Sequence, residues 1–197
     1  MLHVGITGGI GTGKTTACKL FESLGIPVYY ADERARWLME HDEELRRGII
    51  GLFGAAAYTD EGLLNRPEIA RQAFGNPELL QKLNALTHPA VARDGLAWQQ
   101  AWQGVPYTLK EAALLYESGS YRLLDKIIVV SAPLELRIAR VMARDDCSRE
   151  AVLERIARQM PQEEKEARAD FILYNDGVQM LIPQVLQIHR TLKGEAG

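Results

Sequence analysis

The sequence predicts an α/β fold built on a five-stranded parallel sheet. Five short, continuously apolar runs recur along the chain, and such runs are typical of strands that are buried on both faces. Stretches with helical periodicity separate the runs, as in a doubly wound sheet. The spacing is uneven, because the interval between residues 30 and 105 contains only helical patterns. We therefore expect a sheet core that carries helical insertions.

The predicted strands follow the apolar runs in chain order. They are Leu2–Thr7, Ile26–Tyr30, Val105–Lys110, Lys126–Ser131 and Asp170–Tyr174. Periodicity and capping residues predict helices over Glu33–Met39, Asp42–Phe53, Arg66–Phe74, Pro77–Leu86, Pro89–Trp102, Pro133–Arg144, Ser148–Met160 and Val178–Leu192. The core then comprises residues 1–32, 104–133 and 169–197 of one domain, with helical outgrowths over 33–103 and 134–168. Ligands of such folds bind at the carboxyl ends of the strands.

Composition excludes several classes of protein. The 197 residues are 47% hydrophobic and 25% charged, with a net charge of −3, so disorder and dedicated nucleic-acid binding are both disfavoured. Two cysteines, Cys18 and Cys147, fit a reducing compartment better than a disulfide framework. No apolar run is long enough for a membrane helix, and no signal-peptide pattern opens the chain. We expect a cytoplasmic protein that binds neither nucleic acid nor membrane.

One motif carries most of the chemistry. Residues Gly8–Thr15 read GGIGTGKT and match G-x-x-x-x-G-K-[ST] between a predicted strand and a predicted helix. The glycines allow backbone N–H groups to turn around an anion, and the helix N-terminus adds partial positive charge. Lys14 is expected to reach the β- and γ-phosphates, Thr15 to offer its hydroxyl to Mg²⁺, and Thr16 to bind the α-phosphate. The predicted phosphate-binding residues are Gly8, Gly9, Gly11, Thr12, Gly13, Lys14, Thr15 and Thr16.

The rest of the chain separates classes that share this loop. No Asn-Lys-x-Asp pattern for reading guanine is present. The fourth predicted strand ends at Ser131 and continues into Ala132-Pro133, without an acidic residue that could hold Mg²⁺. Both observations disfavour a GTPase or a motor ATPase.

Asp32 lies just past the carboxyl end of the second predicted strand. A carboxylate there can accept a proton from an attacking hydroxyl or hold Mg²⁺ through water. It can equally be the N-cap of the helix that follows. Position in the sequence leaves the two interpretations evenly matched.

Three arginines form a stripe on the helix after Pro133. Arg137, Arg140 and Arg144 share one face at spacings i, i+3 and i+7. A solvated helix face is the simpler explanation of such a stripe. Its place beside the expected phosphate site also fits a lid that brings cations to the transferred phosphoryl group.

Other candidates rest on position alone. Glu111, near the end of the third predicted strand, is a candidate for contact with substrate or Mg²⁺, and Asn175, after the last strand, for contact with adenine. His88, before Pro89, is more simply a cap between two helices than a catalytic group. Trp98 and Trp102 are expected in the core.

The chain resembles the dephospho-CoA kinase family over nearly its whole length. The shared elements are Thr7–Thr16, Ala31-Asp32 with Ala35-Arg36, Phe53-Gly54, Leu86–Pro89 with Val91, Leu114–Glu117, Arg140 with Met142–Asp145, Arg155-Ile156 with Gln159–Pro161, and Ala169–Ile172 with Asn175–Gly177. The phosphate loop alone is common to many kinases, whereas the whole series in this order is much more specific.

The resemblance implies a P-loop kinase core with a helical substrate-binding insertion over 33–103 and a helical lid over 134–168. It implies that ATP with Mg²⁺ phosphorylates the ribose 3′-hydroxyl of 3′-dephospho-CoA, the last step of coenzyme A synthesis. Asp32, Lys14 and Arg140 are then the catalytic residues. Arg144 and Asn175 join the loop in binding ATP, and His88 and Glu111 join Asp32 at the substrate. A monomer or weak homo-oligomer is expected.

The chain departs from the family pattern in three places. Tyr30 stands where the family usually has an aspartate, Ala113 stands where a proline is frequent, and Arg137 stands where glutamine is common. Two alternative functions stay open: a kinase for another small nucleotide or metabolite, and a nucleotide-dependent switch that captures a protein partner.

Overall fold

The computed structural model describes residues 1–194, which form five strands and nine α-helices. The strands are β1 (Leu2–Thr7), β2 (Val28–Tyr30), β3 (Tyr107–Glu111), β4 (Lys126–Ser131) and β5 (Phe171–Tyr174). The helices are α1 (Lys14–Ser23), α2 (Ala31–His41), α3 (Glu43–Phe53), α4 (Arg66–Ala73), α5 (Pro77–Ala101), α6 (Leu134–Asp145), α7 (Arg149–Ala157), α8 (Gln162–Ala167) and α9 (Leu181–Leu192).

The sheet confirms the predicted fold class. Its strands follow the order β2-β3-β1-β4-β5, and every neighbouring pair is parallel. β1 is central, and its Ile6 lies opposite Glu111 of β3 and Ile128 of β4. The chain that leaves β1 therefore emerges in the middle of the carboxyl edge, where ligands of such sheets bind.

The chain divides into two compact units, Met1–Tyr30 with the chain from Trp102 onward, and Ala31–Ala101. The first unit holds the sheet. Its main core packs α1 and α9 against the strands through buried side chains such as Phe21, Tyr107 and Val185. Burial strongly raises the pKa of the Cys18 thiol in this core, so the cysteine is a packing residue rather than a reactive thiolate.

The second unit consists of α2 to α5 around its own core. Leu45, Ile49 and Phe53 of α3 are buried with Leu83 and Ala90 of α5. The Asp42 carboxylate caps α3 by accepting a hydrogen bond from Leu45 N–H at 2.8 Å. The role of this unit in substrate binding stays a prediction.

The prediction of two helices around His88-Pro89 is wrong. α5 runs without interruption from Pro77 to Ala101 with Pro89 inside it, so His88 is an exposed residue within a helix and not a cap. Proline removes one helical hydrogen bond, a cost that packing on both sides can offset. Thr87 and Ala90 are buried on either side of the proline, and this packing holds the two halves together.

The region after β4 also differs from the expectation. Ser148 caps α7 as predicted, accepting from Ala151 N–H, but the helix ends at Ala157 instead of Met160. A further helix, α8, follows Pro161, whose fixed backbone suits the entry to a helix. Among the described residues, no helix is both long and apolar enough to span a membrane.

Candidate active site

The loop between β1 and α1 has the shape that its glycines predict. Gly11 and Gly13 adopt φ values of +81° and +90°, which side chains with a Cβ rarely accept. A Cβ on Gly11 would lie 2.5 Å from the backbone oxygen of Arg137, and one on Gly13 would collide with the Asn175 amide. The glycines therefore serve both the backbone conformation and the close approach of neighbouring groups.

The loop is braced by its own polar groups. The Thr12 hydroxyl donates to the Gly9 carbonyl at 2.9 Å and is fully buried. The Asn175 amide donates to the Thr12 carbonyl at 2.8 Å. Lys14 Nζ donates to the Gly8 carbonyl at 3.1 Å, so its ammonium group is folded back over the loop. This arrangement places a cation and a helix N-terminus around the same concave backbone, which is the chemistry of a phosphate site.

Glu111 lies beside this cation. The residue is 8% exposed at the end of β3, and its carboxylate oxygen is 4.0 Å from Lys14 Nζ. The register of the sheet brings the two together, because Glu111 pairs with Ile6, two residues before the loop begins at Gly8. Among residues 1–194 no group of three histidine, cysteine or acidic side chains is arranged for a metal.

The arginine stripe of α6 is split in the structure. Arg140 lies at the loop, donating to the Asn175 carbonyl at 3.1 Å and to the Asn175 side-chain oxygen at 3.3 Å. Arg137 is 5% exposed, and its Nε donates to the Ile10 carbonyl at 3.0 Å. Burial lowers the pKa of Arg137. The simpler explanation of the stripe, a helix face exposed to solvent, is therefore wrong for Arg137 and Arg140.

Arg144 is placed differently. Its largely exposed guanidinium pairs with Asp145 at 2.7 Å, and Arg155 pairs with the same carboxylate. The hydrogen bond from Arg144 is the main cause that holds the pKa of Asp145 down at about 2. The predicted contact between Arg144 and ATP stays a prediction.

Asp32 and His88 belong to the helical unit. Asp32 is exposed in the first turn of α2, which begins at Ala31, so it lies within the helix and is not its N-cap. A carboxylate in a first turn is favoured by the partial positive charge of the helix end. The roles of both residues toward a substrate stay predictions.

The sequence did not single out Gln162 or Lys165, and it gave Gln159 and Glu117 only as residues shared with the family, without a structural role. Gln159 and Gln162 accept hydrogen bonds from the loop N–H groups of Ile10 and Gly9. Lys165 of α8 is fully buried and pairs with Glu117 at 2.8 Å. No local pattern reveals these contacts, because the partners lie far apart along the chain.

A cavity of about 720 Å³ adjoins the glutamines. Pro133 and Arg137 line one part of it, and Gln159, Gln162 and Tyr174 line another. It lies at the carboxyl ends of β4 and β5, the edge of the sheet at which the glycine loop also begins.

Comparisons of sequence find one family over nearly the whole chain. The family model described as dephospho-CoA kinase matches residues 2–180. A dephospho-CoA kinase of Salinibacter ruber is 44% identical over 179 residues, covering 90% of each chain. One from Porphyromonas gingivalis is 37% identical over 194 residues, covering 98% of this chain and 95% of its own.

Solved structures are similar to this chain over nearly its whole length. TT1252 from Thermus thermophilus has a TM-score of 0.85 at 37% identity, covering 100% of this chain and 98% of its own. The dephospho-CoA kinase from Campylobacter jejuni has a TM-score of 0.72 at 29% identity, covering 98% of both chains. A shikimate kinase from Bacteroides thetaiotaomicron, at 13% identity and a TM-score of 0.51, shares the fold alone. Because the model and the relatives span nearly the whole chain, the chain belongs to the dephospho-CoA kinase family.

Proposed function

We propose that this chain transfers the γ-phosphoryl group of ATP to the ribose 3′-hydroxyl of 3′-dephospho-CoA, giving CoA and ADP. The observation that carries the proposal is the match of residues 2–180 to a family of phosphotransferases whose nucleotide loop is intact here. The 3′-oxygen attacks the γ-phosphorus, and the bond from that phosphorus to the β–γ bridging oxygen breaks. The hydroxyl proton leaves to a carboxylate.

The loop and Lys14 hold the phosphates of ATP. Fixed glycine conformations present the loop backbone before the nucleotide arrives, and little reorganisation is needed when charge shifts toward the leaving oxygen. Lys14 exchanges its contact with the Gly8 carbonyl for the β- and γ-phosphates. Catalysis by such sites is mainly positioning and charge stabilisation.

Arg140 supplies a second cation. Its contacts with the carbonyl and side chain of Asn175, which follows β5, place the guanidinium on the side of the loop that faces the end of β5. Planar guanidinium groups match phosphate oxygens better than a point charge does. Arg140 therefore stabilises the transferred group, and Arg144 joins it if the pair with Asp145 opens.

Asp32 is the base of this proposal. Its carboxylate orients the 3′-hydroxyl and takes the proton late in the transfer. His88 and the other residues of the helical unit contact the CoA-like substrate, and Glu111 contacts the substrate or a metal ion.

The residues present fit Mg²⁺. The ion prefers hard oxygen donors, keeps several waters and binds through one or two protein oxygens together with substrate phosphates. Thr15 is the second residue of α1, and the Glu111 carboxylate is 4.0 Å from the ammonium group of the neighbouring Lys14. The Thr15 hydroxyl and the Glu111 carboxylate are such a limited set of oxygen donors. Mg²⁺ bound there would neutralise charge on the β- and γ-phosphates.

A panel of acceptors tests the substrate. ADP release is measured with ATP and, in turn, 3′-dephospho-CoA, the common nucleoside monophosphates and no acceptor. We expect rapid release of ADP only when 3′-dephospho-CoA is the acceptor. Preference for a nucleoside monophosphate would identify a different small-molecule kinase. Slow release that no acceptor increases would favour a nucleotide-dependent switch.

The base has its own test. Asp32→Ala should lower kcat by about 10²- to 10⁴-fold, the usual contribution of acid–base catalysis, with ATP affinity nearly unchanged. Glu33→Ala is the matched control, since Glu33 is an exposed carboxylate in the same turn of α2. Turnover of Asp32→Ala within about threefold of wild type would refute the role, because that is a small change in barrier height.

Cytoplasmic location and the monomeric or weakly associated state are also part of the proposal. Sedimentation at assay concentrations, with and without ATP, tests the second. A stable tetramer would contradict it.

A further inference from the structure

Two glutamine side chains hold the beginning of the phosphate loop. The N–H of Gly9 donates to Gln162 Oε1 at 3.0 Å, and the N–H of Ile10 donates to Gln159 Oε1 at 2.9 Å. Backbone N–H groups in such loops are anion ligands in their own right. Here two successive N–H groups already have protein acceptors.

The orientation of Gln162 is set by further contacts. Its Nε2 donates to the Val130 carbonyl of β4 at 3.3 Å and to the Glu166 carboxylate at 2.9 Å. With both donors directed to oxygens, the carboxamide oxygen faces Gly9. A single side chain thus links the end of β4 to the loop that follows β1.

The segment that carries the glutamines is itself anchored. The Glu117 carboxylate accepts from Met160 N–H at 2.8 Å and from the buried Lys165 ammonium at 2.8 Å. Lys165 also donates to the Ala113 carbonyl at 3.1 Å. Residues 159–165 are therefore tied to the chain after β3, which gives the two carboxamides a fixed base.

Arg137 completes the support from the other side. Its Nε donates to the Ile10 carbonyl at 3.0 Å, so the peptide groups around Ile10 have partners for both N–H and C=O. The three side chains share a property that matters beside phosphate. They present neutral acceptors and one cation to the loop, and the Glu166 carboxylate contacts only the far nitrogen of Gln162, at 2.9 Å.

We propose that Gln159 and Gln162 are positioning residues for phosphoryl transfer. Their carboxamide oxygens take up the N–H groups of Gly9 and Ile10, so that the loop holds its shape before ATP binds and the phosphates are directed to the N-terminus of α1. This inference rests on the proposed kinase function. Pre-organisation of this kind lowers the cost of ordering the loop on binding.

Amide hydrogen exchange of the full chain, without nucleotide, tests the contacts themselves. Gln159→Met and Gln162→Met keep the length of the side chain and remove the acceptor. Each lost bond is worth about fivefold, so exchange should accelerate by about that factor at Ile10 and Gly9 respectively. Gln187→Met, at an exposed position of α9, is the control and should leave both amides unchanged. Unchanged exchange in both loop variants would overturn the proposal.

Steady-state kinetics then separate positioning from general loss of structure. KM for ATP should rise about fivefold or more in Gln159→Met, while KM for 3′-dephospho-CoA stays within about twofold. Equal changes in both constants, or no change, would overturn the inference. Gln159→Met is decisive if Gln162→Met fails to fold, because Gln162 also supports β4.

A charged variant gives an independent readout. Gln159→Glu keeps the acceptor oxygen for the Ile10 N–H and adds a negative charge, so exchange at Ile10 should stay slow while ATP affinity by calorimetry falls about tenfold, as for a like charge near phosphate. Undiminished affinity for ATP would overturn the inference. Failure of the kinase assay alone would instead count against the proposed function, because exchange and ATP binding do not require turnover.

Discussion

Replacing the buried Lys165 by methionine probes the anchor of the region after β4. The side chain is fully buried, and its ammonium lies 2.8 Å from Glu117 Oε1 and 3.1 Å from the Ala113 carbonyl. Methionine fills similar space with an apolar chain. The Glu117 carboxylate, whose side chain is 21% exposed, then loses its cation.

The magnitude follows from that geometry. Removing one partner of a buried ion pair costs about 3–5 kcal/mol, because the other charge stays buried without compensation. Glu117 keeps the hydrogen bond from Met160 N–H and some access to water, so we expect about 3 kcal/mol. For a chain of this size that corresponds to a decrease in Tm of about 6–12 °C.

Urea unfolding at pH 7, followed by circular dichroism, measures the change in the free energy of unfolding. The double variant Glu117→Gln with Lys165→Met removes both charges and should be less destabilised than Lys165→Met alone. A loss below about 1 kcal/mol in Lys165→Met would refute the reasoning, since that is no more than an exposed pair contributes.

The dependence on pH supplies a second check. Burial acts to raise the pKa of Glu117, but hydrogen bonds from Lys165 and from Met160 N–H outweigh it, and the pKa is lowered. A lowered carboxyl pKa stabilises the fold above the unfolded value of about 4.3, and this stabilisation is lost as pH falls through the folded value. The difference in the free energy of unfolding between wild type and Lys165→Met should therefore become smaller below about pH 4. A difference in the free energy of unfolding that stays constant down to pH 3 would show that the ionised Glu117 carboxylate is not the source of this stabilisation.

Three more outcomes are expected. Gly11→Ala should reduce kcat/KM for ATP by about 10- to 100-fold, because a positive φ and a 2.5 Å approach to the Arg137 oxygen both oppose a Cβ; Gly51→Ala, which meets nothing within 4 Å, should keep activity. Asp42→Ala should lower the free energy of unfolding by about 1 kcal/mol through loss of the α3 cap, and an unchanged value would show that the cap is unimportant. Excess EDTA should abolish turnover and added Mg²⁺ should restore it, whereas persistent turnover would exclude a required metal.

The sheet was the most predictable part of the fold. All five strands lie within or close to the predicted apolar runs, because burial on both faces demands continuous apolar sequence. The third strand begins at Tyr107 instead of Val105, since Pro106 lacks the N–H that a paired strand position uses. The continuity of α5 through Pro89 was not predictable, because packing in the helical unit outweighs the local preference.

The candidate site also has a part that the sequence could identify and a part that it could not. The loop from Gly8 to Thr16 and the acidic end of β3 could be identified from residue type and position alone. The split of the arginine stripe could not, because periodicity puts Arg137, Arg140 and Arg144 on one face without saying which neighbour each one meets.

The sequence by itself determined the fold class, the phosphate loop and the family, because these depend on local motifs and on the order of apolar runs. Only the tertiary structure decided what supports the loop. Gly9 and Gln162 are 153 positions apart, and Ile10 and Gln159 are 149 apart. Contacts over such separations arise because crossover connections place distant segments of the chain side by side at one edge of the sheet. No pattern of neighbouring residues encodes them.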